Sequence, residues 1–250
     1  DEIYLGGYSA GGALSIYQSL QDTRVRGLFL FAPALEITHR AAYASLHKLV
    51  SWLLPALRWV DIKPDIDIYK YESFAKNTAA QMYQLTLALN ERLQAHQLTI
   101  PVFAVASADD KTVSVPAIID FMARQSHPAN KFILYTTDTG ALACNSPDDK
   151  IERVNSLLPE RKILSSAHTA LLVPPEDEHY GVHGEYTNCA HYYPESMDKY
   201  AACTQYPEEC WSGEITENNL ASGILCRLMY NPNFKALQTS IRQFIDGLPV

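Results

Sequence analysis

The stretch EIYLGGYSAGGALSIYQSL, residues 2–20, decides the fold class of this 250-residue chain. Its first four residues alternate in the manner of the end of a β-strand. Its second half places apolar side chains at helical spacing, at Ala13, Leu14, Ile16, Tyr17 and Leu20. Between them lies Gly7-Tyr8-Ser9-Ala10-Gly11, which matches the motif G-x-S-x-G in the strand–turn–helix context that the motif requires. We therefore predict a sharp turn that presents Ser9.

The two motif glycines suggest a steric reason for this turn. A strand that reverses into a helix within a few residues brings its backbone segments so close that a Cβ at Gly7 or Gly11 would clash. The Ser9 hydroxyl would then stand at a helix N-terminus, whose free N–H groups and partial positive charge suit a developing oxyanion. A phosphate-binding loop or a merely structural glycine loop are the alternatives. A phosphate-binding loop would carry a lysine after its glycines, and none follows here.

Composition and charge limit the function classes. Hydrophobic residues make up 47% of the chain, enough for a sizeable buried core in one domain or in a domain with an inserted cap. The net charge of −8 argues against a nucleic-acid-binding protein. No stretch of the sequence reaches the length of a membrane span. No sequence feature implies a cofactor.

The cysteines indicate disulfide chemistry. Three of the five fall close together in a polar segment, at Cys189, Cys203 and Cys210. Such clustering favours disulfides and an oxidising compartment, periplasmic or extracellular. Zinc is the alternative because His191 lies beside Cys189, but there is no C-x-x-C pair, and we predict no metal site. Cys226 lies in an apolar run and is predicted to be the odd, buried thiol.

Strand and helix patterns alternate along the chain. Strands are predicted at 25–31, 100–110, 131–137 and 161–167. Helices are predicted at 73–96, 114–125 and 232–245. The helix at 73–96 would start at Ser73 or Asn77, and Asn231 would cap the helix at 232–245. Residues 36–97 lack a convincing strand and are predicted to be a mostly helical insertion that Pro55 kinks or interrupts. This alternation predicts a mostly parallel sheet with flanking helices.

Parallel sheets carry their reactive groups on loops beyond the carboxyl ends of the strands. The loop after the apolar part of the strand at 100–110, PVFAVAS (101–107), offers Asp109 and Asp110. We favour Asp110, because D-x-x-V would let Val113 pack into the core and would aim the aspartate at the site. Asp109 would be a solvated residue or a helix N-cap. His168 is the favoured base because it directly follows a predicted strand. The rival histidines, all in a polar loop, are His179, His183 and His191.

The chain resembles the C-terminal part of an α/β-hydrolase, and its insertion is similar to the cap of the monoglyceride lipase and serine aminopeptidase-like branch. The matching stretches are the motif around Ser9, FAPAL (31–35), the insertion, PVFAVASADDKTV (101–113) and SSAHTAL (165–171). The resemblance implies that Ser9 is the nucleophile, His168 the general base and acid, and Asp110 the orienting carboxylate. It also implies that the Ala10 N–H is half of an oxyanion hole.

Two departures from the family pattern are expected. About the first third of a complete domain, including the second oxyanion donor, would precede this chain. Residues 173–226 form a Cys- and Tyr-rich elaboration of the core. The predicted organisation is a partial core at 1–35 and 98–250, with a cap at 36–97.

Cleavage of a carboxylic ester with an acyl or lipid-like group is the favoured chemistry, with Tyr8, Trp52 and Leu53 as substrate contacts. The cap could also make transient lipid contact. A serine aminopeptidase or amidase is the alternative, in which Asp61, Asp65 or Asp67 would hold a substrate amine. A non-catalytic binding protein on the same scaffold is a further alternative.

Overall fold

The computed structural model describes residues 2–37, 41, 43, 44, 54–138, 140, 142 and 151–248. Its centre is a five-stranded parallel sheet whose spatial order follows the chain. The strands are β1 (Ile3–Tyr8), β2 (Val25–Phe31), β5 (Val102–Ser107), β6 (Lys131–Thr136) and β7 (Ile151–Asn155). The predicted parallel sheet with flanking helices is confirmed.

The helices of the described residues are α1 (Ala10–Ser19), α2 (Lys76–Ala95), α3 (Val115–Arg124), α4 (Met197–Gln205), α5 (Glu217–Leu220) and α6 (Phe234–Asp246). Ser114 caps α3 by accepting a hydrogen bond from the Ala117 N–H. Helix α2 begins at Lys76, one residue before Asn77, which was one of its two predicted starts. The predicted Asn231 cap of α6 is wrong, since Asn233 precedes that helix and no side chain caps it. None of the described helices is both long and apolar enough to cross a membrane.

The core lies on both faces of the central strands. All six residues of β5 are buried, as expected for a parallel strand covered on two sides. Helix α6 covers one face, where the Phe244 ring lies 5.4 Å from that of Phe29 and 5.3 Å from that of Phe103. Helix α6 thus packs on β2 and β5, and the loop that carries Asp110 follows β5.

The strand predicted at 161–167 is wrong. Residues Pro159–Arg161 form a 3₁₀ turn, Lys162 has φ 54°, and Ile163 makes only single bridges, to Leu158 and Ser212. The fifth strand is instead β7, an edge strand whose charged residues and half-buried side chains give a weak periodic signal. His168 therefore follows an irregular segment and not a strand.

The segment predicted as a mostly helical insertion is helical only in part. Within its described residues, a 3₁₀ turn at Pro55–Arg58 leads into an antiparallel pair, β3 (Trp59–Asp61) with β4 (Phe74–Ala75), before α2. Ser73 does not start a helix. Its hydroxyl accepts a hydrogen bond from the Lys63 N–H and donates one to the Lys63 carbonyl, and these bonds link the two ends of the segment between β3 and β4. Trp52 and Leu53, the predicted substrate contacts, lie outside the described residues.

The Cys-rich elaboration contains two short parallel strands, β8 (Trp211–Gly213) and β9 (Leu225–Arg227). Cys189 and Cys203 form a disulfide, whereas Cys210 and Cys226 are buried free thiols. The structure thus places a disulfide within the predicted cysteine cluster and buries the Cys226 thiol, but Cys210, which belongs to the same cluster, is a second free thiol. The fifth cysteine, Cys144, lies outside the described residues. The sulfurs of Cys189, Cys203 and Cys226 lie within 4.8 Å of one another, but two of them are bonded to each other and only Cys226 keeps a thiol to offer.

Candidate active site

Ser9 occupies a strained backbone conformation between β1 and α1. Its φ is 54° and its ψ −118°, a region that non-glycine residues rarely adopt. The surrounding backbone imposes this conformation: the Ser9 N–H donates to the Phe31 carbonyl at 2.8 Å, and the Ser9 carbonyl accepts from Gly12 and Ala34 at 3.0 Å each. Ser9 is thereby fixed at the start of a helix.

The glycine prediction is right for Gly7 and wrong for Gly11. A Cβ on Gly7 would lie 2.1 Å from the Gly11 carbonyl oxygen, whereas a Cβ on Gly11 would meet no atom within 4 Å. The second close approach is at Gly12, where a Cβ would lie 2.7 Å from Pro33 Cβ. The helix thus approaches the strand through its backbone at Gly11 and the next loop through Gly12.

The structure brings Ser9, Asp110 and His168 together. His168 Nε2 lies 3.2 Å from Ser9 Oγ, and His168 Nδ1 lies 2.7 Å from Asp110 Oδ2. His168 and Asp110 are only 5% and 7% exposed. A hydroxyl, an imidazole and a carboxylate in this order form a chain that can take a proton from the serine.

Backbone groups of its own loop orient the Asp110 carboxylate. Its Oδ1 accepts hydrogen bonds from the N–H groups of Thr112 at 2.7 Å and Val113 at 3.1 Å. Val113 is buried, as the D-x-x-V pattern predicts. Because Oδ1 is held in this way, Oδ2 is left to face His168.

Asp109 is not the helix cap that was considered for it, because Ser114 caps α3. Its Oδ2 is buried and has no hydrogen-bond partner among the described residues. Burial, together with the nearby Glu214 carboxylate, raises the pKa of Asp109. The two adjacent aspartates therefore have different surroundings, and only Asp110 reaches His168.

Tyr8 contacts His168 directly. Its hydroxyl donates to the His168 carbonyl at 3.0 Å, and the two rings lie 4.9 Å apart between centroids. Its side chain remains partly exposed beside Ser9. Tyr8 thus has a contact to the main chain of the candidate base besides the substrate contact proposed for it.

The sequence analysis missed Glu214 and Arg227. Glu214 is fully buried, and its Oε2 accepts a hydrogen bond from the His168 N–H at 2.9 Å. Arg227 pairs with this carboxylate at 2.9 Å. No motif surrounds either residue, and the contact spans 46 residues of chain, so no local signal could have identified it.

The rival histidines have other surroundings. His179 is buried, and its Nε2 lies 3.3 Å from Asp67, a carboxylate that Tyr180 and Lys70 also bind. His183 is exposed. Both ring nitrogens of His191 are buried without a hydrogen-bond partner among the described residues.

His191 should make the stability of the protein depend on pH. Burial, helped by the nearby positive charges of Arg227 and Lys63, lowers its pKa from 6.5 to about 4. Between these values the unfolded chain binds a proton that the folded chain does not. The contribution of neutral His191 to the free energy of unfolding is therefore fully present above pH 6.5 and is lost as the pH falls toward 4. After allowance for the partial exposure of His191, the loss is about 1–2 kcal/mol.

Thermal melting at pH 7 and pH 4.5 measures this effect. His191→Leu should lose less stability on acidification than the wild type, whereas His183→Gln, at an exposed histidine, should behave like the wild type. An unchanged pH dependence in His191→Leu would contradict the prediction.

Comparison with known proteins adds the family. The family model Hydrolase_4, described as serine aminopeptidase, S33, matches residues 1–137, which is more than half of the chain. The chain belongs to this family. The matched residues include Ser9 and Asp110 but end before His168. No match was found among curated proteins.

Several solved structures are similar to this family member over part of its length. One comes from work on the metagenome-derived lipolytic enzymes LipS and LipT, with 16% identity, a TM-score of 0.42 and coverage of 54% of this chain and 55% of that chain. The monoacylglycerol lipase of Paleococcus ferrophilus has 12% identity, a TM-score of 0.41 and coverage of 54% and 59%. A soluble variant of the Saccharomyces cerevisiae monoglyceride lipase has 15% identity, a TM-score of 0.41 and coverage of 54% and 53%. The aligned part thus spans little more than half of each of these proteins.

Proposed function

We propose that this protein is a serine hydrolase that cleaves carboxylic esters through Ser9, His168 and Asp110. The observation that carries the proposal is the continuous contact from Ser9 Oγ to His168 Nε2, at 3.2 Å, and from His168 Nδ1 to Asp110 Oδ2, at 2.7 Å. It occurs at a serine held at positive φ on a helix N-terminus, in a chain of a hydrolase family. These features support a nucleophilic role for Ser9.

The reaction would proceed through an acyl-enzyme. Ser9 Oγ attacks the acyl carbonyl carbon while His168 Nε2 accepts the hydroxyl proton. His168 then gives this proton to the departing alcohol, and a water molecule, activated by the same nitrogen, hydrolyses the acyl-serine. Asp110 holds the imidazole with Nδ1 protonated and stabilises the imidazolium that forms in each step.

The developing oxyanion would be stabilised by the N–H of Ala10. Ala10 begins α1, and the first N–H groups of a helix have no carbonyl partner within the helix. The partial positive charge at this end of α1 acts on the same oxygen. The loss of one oxyanion donor typically lowers the rate by about 10²–10³.

An ester substrate is favoured over a peptide with a free N-terminal amine. An aminopeptidase needs a carboxylate free to bind the substrate's ammonium group. Two of the three candidates are already paired: Asp67 is buried and bound by Lys70 and Tyr180, and Asp61 pairs with Lys63 at 3.2 Å. Asp65 accepts a hydrogen bond from the Glu72 N–H at 3.3 Å.

The experiment that tests the proposal is labelling of the natural full-length polypeptide with a fluorophosphonate, followed by peptide mapping. Such a probe reacts with an activated serine and needs no fitted substrate. We expect a single adduct on Ser9, none in Ser9→Ala, and an unchanged adduct in Ser15→Ala, whose hydroxyl lies within α1 and bonds the Gly11 carbonyl. Absence of labelling would disprove the serine mechanism and favour a binding protein.

Substrate class is then tested with acyl esters of increasing chain length beside aminoacyl anilides. Turnover of the esters and not of the anilides is expected. The reverse preference would support the aminopeptidase hypothesis.

A further inference from the structure

Side chains fix the peptide groups on both sides of His168. The His168 N–H donates to Glu214 Oε2 at 2.9 Å, and the His168 carbonyl accepts from the Tyr8 hydroxyl at 3.0 Å. His168 starts a short 3₁₀ turn after an irregular segment, so no sheet ladder orients it. The two side-chain contacts take over that task.

Glu214 is linked in turn to the loop that carries Asp110. Arg227 Nη2 lies 2.9 Å from Glu214 Oε1 and also donates to Thr112 Oγ1 at 2.7 Å. The Thr112 N–H donates to Asp110 Oδ1 at 2.7 Å, and Asp110 Oδ2 meets His168 Nδ1. These contacts form a closed ring that passes through the candidate base, its carboxylate and the Glu214–Arg227 pair.

The two carboxylates of the ring have different tasks: Glu214 positions the main chain of His168, and Asp110 supplies the negative charge next to its imidazole. Glu214 is fully buried, and Arg227 offsets its negative charge; an unpaired carboxylate there would be strongly destabilising. Asp110 makes no salt bridge with a lysine or arginine in the described part of the chain. Glu214 can therefore hold the His168 backbone without adding net charge, while the Asp110 charge stays available to the imidazolium.

Glu214 lies within the elaboration, and Arg227 directly follows its last residue. Glu214 directly follows β8, Arg227 ends β9, and Gly213 pairs with Arg227 in the parallel ladder. The side chain of Asn219 fixes the turn after β8 by donating to the Glu214 carbonyl at 2.9 Å and to Ser165 Oγ at 3.0 Å. Both partners lie beyond the part of the chain that matches the family model.

We propose that Glu214 and Arg227 are positioning residues, which hold the His168 and Asp110 loops in register through Thr112. The inference rests on the proposed function, because it assigns these residues to the same site. It gives the Cys-rich elaboration a role in catalysis that the family match does not contain.

The test uses three variants of the full-length polypeptide: Thr112→Val, Glu214→Gln and Asp67→Asn. Thr112→Val removes one hydroxyl at an exposed position and keeps the Thr112 N–H, so it breaks the ring without leaving a buried charge. Asp67→Asn is the matched control for Glu214→Gln, since Asp67 is equally buried and paired with a lysine but contacts neither Asp110 nor His168.

Two readouts separate positioning from stability. The first is the rate of fluorophosphonate labelling, resolved into probe affinity and maximal rate. The second is the low-field proton resonance of His168 Nδ1–H, which reports its hydrogen bond to Asp110 whether or not the protein turns over a substrate.

We expect the maximal labelling rate to fall about tenfold in Thr112→Val and about a hundredfold in Glu214→Gln, because small misplacements of reacting groups are this costly. Probe affinity should change little, and the resonance should shift or broaden in both variants. Asp67→Asn should keep both properties even if its melting temperature drops.

The opposite result overturns the inference: a folded Thr112→Val with the wild-type rate and an unchanged resonance, or an equal loss in Asp67→Asn. If the wild type is not labelled at all, the proposed function fails. In that case an unaltered resonance in Thr112→Val and Glu214→Gln would still refute the positioning role separately.

Discussion

Asp110→Asn should lower kcat/KM for an ester substrate by about 10³–10⁴, because an asparagine cannot hold the imidazole in the required tautomer or stabilise the imidazolium. The amide retains the shape of the carboxylate, and one of its atoms can still accept from the Thr112 and Val113 N–H groups. The atom facing His168 Nδ1 would then be a donor, so the contact of 2.7 Å becomes one between two donors or forces the other tautomer. Steady-state kinetics with a chromogenic ester measures the loss.

Asp109→Asn is the matched control for this substitution. Asp109 is adjacent in sequence, and its buried Oδ2 has no partner among the described residues. Removal of a carboxylate whose pKa burial and Glu214 already raise should leave the rate near that of the wild type. If Asp109→Asn lost as much activity as Asp110→Asn, the assignment of Asp110 as the orienting carboxylate would be wrong.

Gly7→Ala should prevent stable folding of the turn that carries Ser9. The added Cβ would lie 2.1 Å from the Gly11 carbonyl oxygen and 2.2 Å from its carbon, and these backbone atoms cannot move without unwinding the start of α1. Overpacking of a rigid site costs about 1–3 kcal/mol, and this contact with backbone should lie at or above the top of that range. We expect a large drop in melting temperature or no soluble protein.

Gly11→Ala makes the same chemical change four residues away and should be tolerated. A Cβ there meets no atom within 4 Å, and an alanine in a helix is favoured over glycine by about 0.5–1 kcal/mol. Differential scanning calorimetry of the two variants gives the comparison. A Gly7→Ala variant with the wild-type melting temperature, or a Gly11→Ala variant that fails to fold, would contradict this account of the turn.

Local patterns sufficed for the sheet and for the candidate nucleophile. The strand–turn–helix around Ser9, the strands β2, β5 and β6 and the helix α3 all appear near their predicted places. Each has a strong periodicity or a fixed turn geometry that its own residues dictate. The D-x-x-V pattern likewise anticipated that Val113 is buried and that Asp110 is the aspartate that contacts His168.

The elements that failed depend on partners distant in the chain. Residues 161–167 have the composition of a strand, yet Ile163 finds only isolated bridges, and the edge position goes to the more polar β7. Asn231 has the composition of a helix cap, but its side chain donates to the Tyr135 hydroxyl and the Leu171 carbonyl inside the core. The conformation of these residues depends on which hydrogen-bond partners are available to them in the folded protein. A single sequence does not show which partners those are.

The sequence by itself determined that Ser9 stands at a tight turn on a parallel sheet, because glycine spacing and hydrophobic periodicity are local properties. Only the tertiary structure decided how His168 is held. Its main chain is fixed by Tyr8 and Glu214, side chains 160 and 46 residues away, and Glu214 can be buried only because Arg227 is placed against it. The burial of a carboxylate is favourable only when a cation and hydrogen-bond donors converge on it, and that convergence is a property of the folded chain.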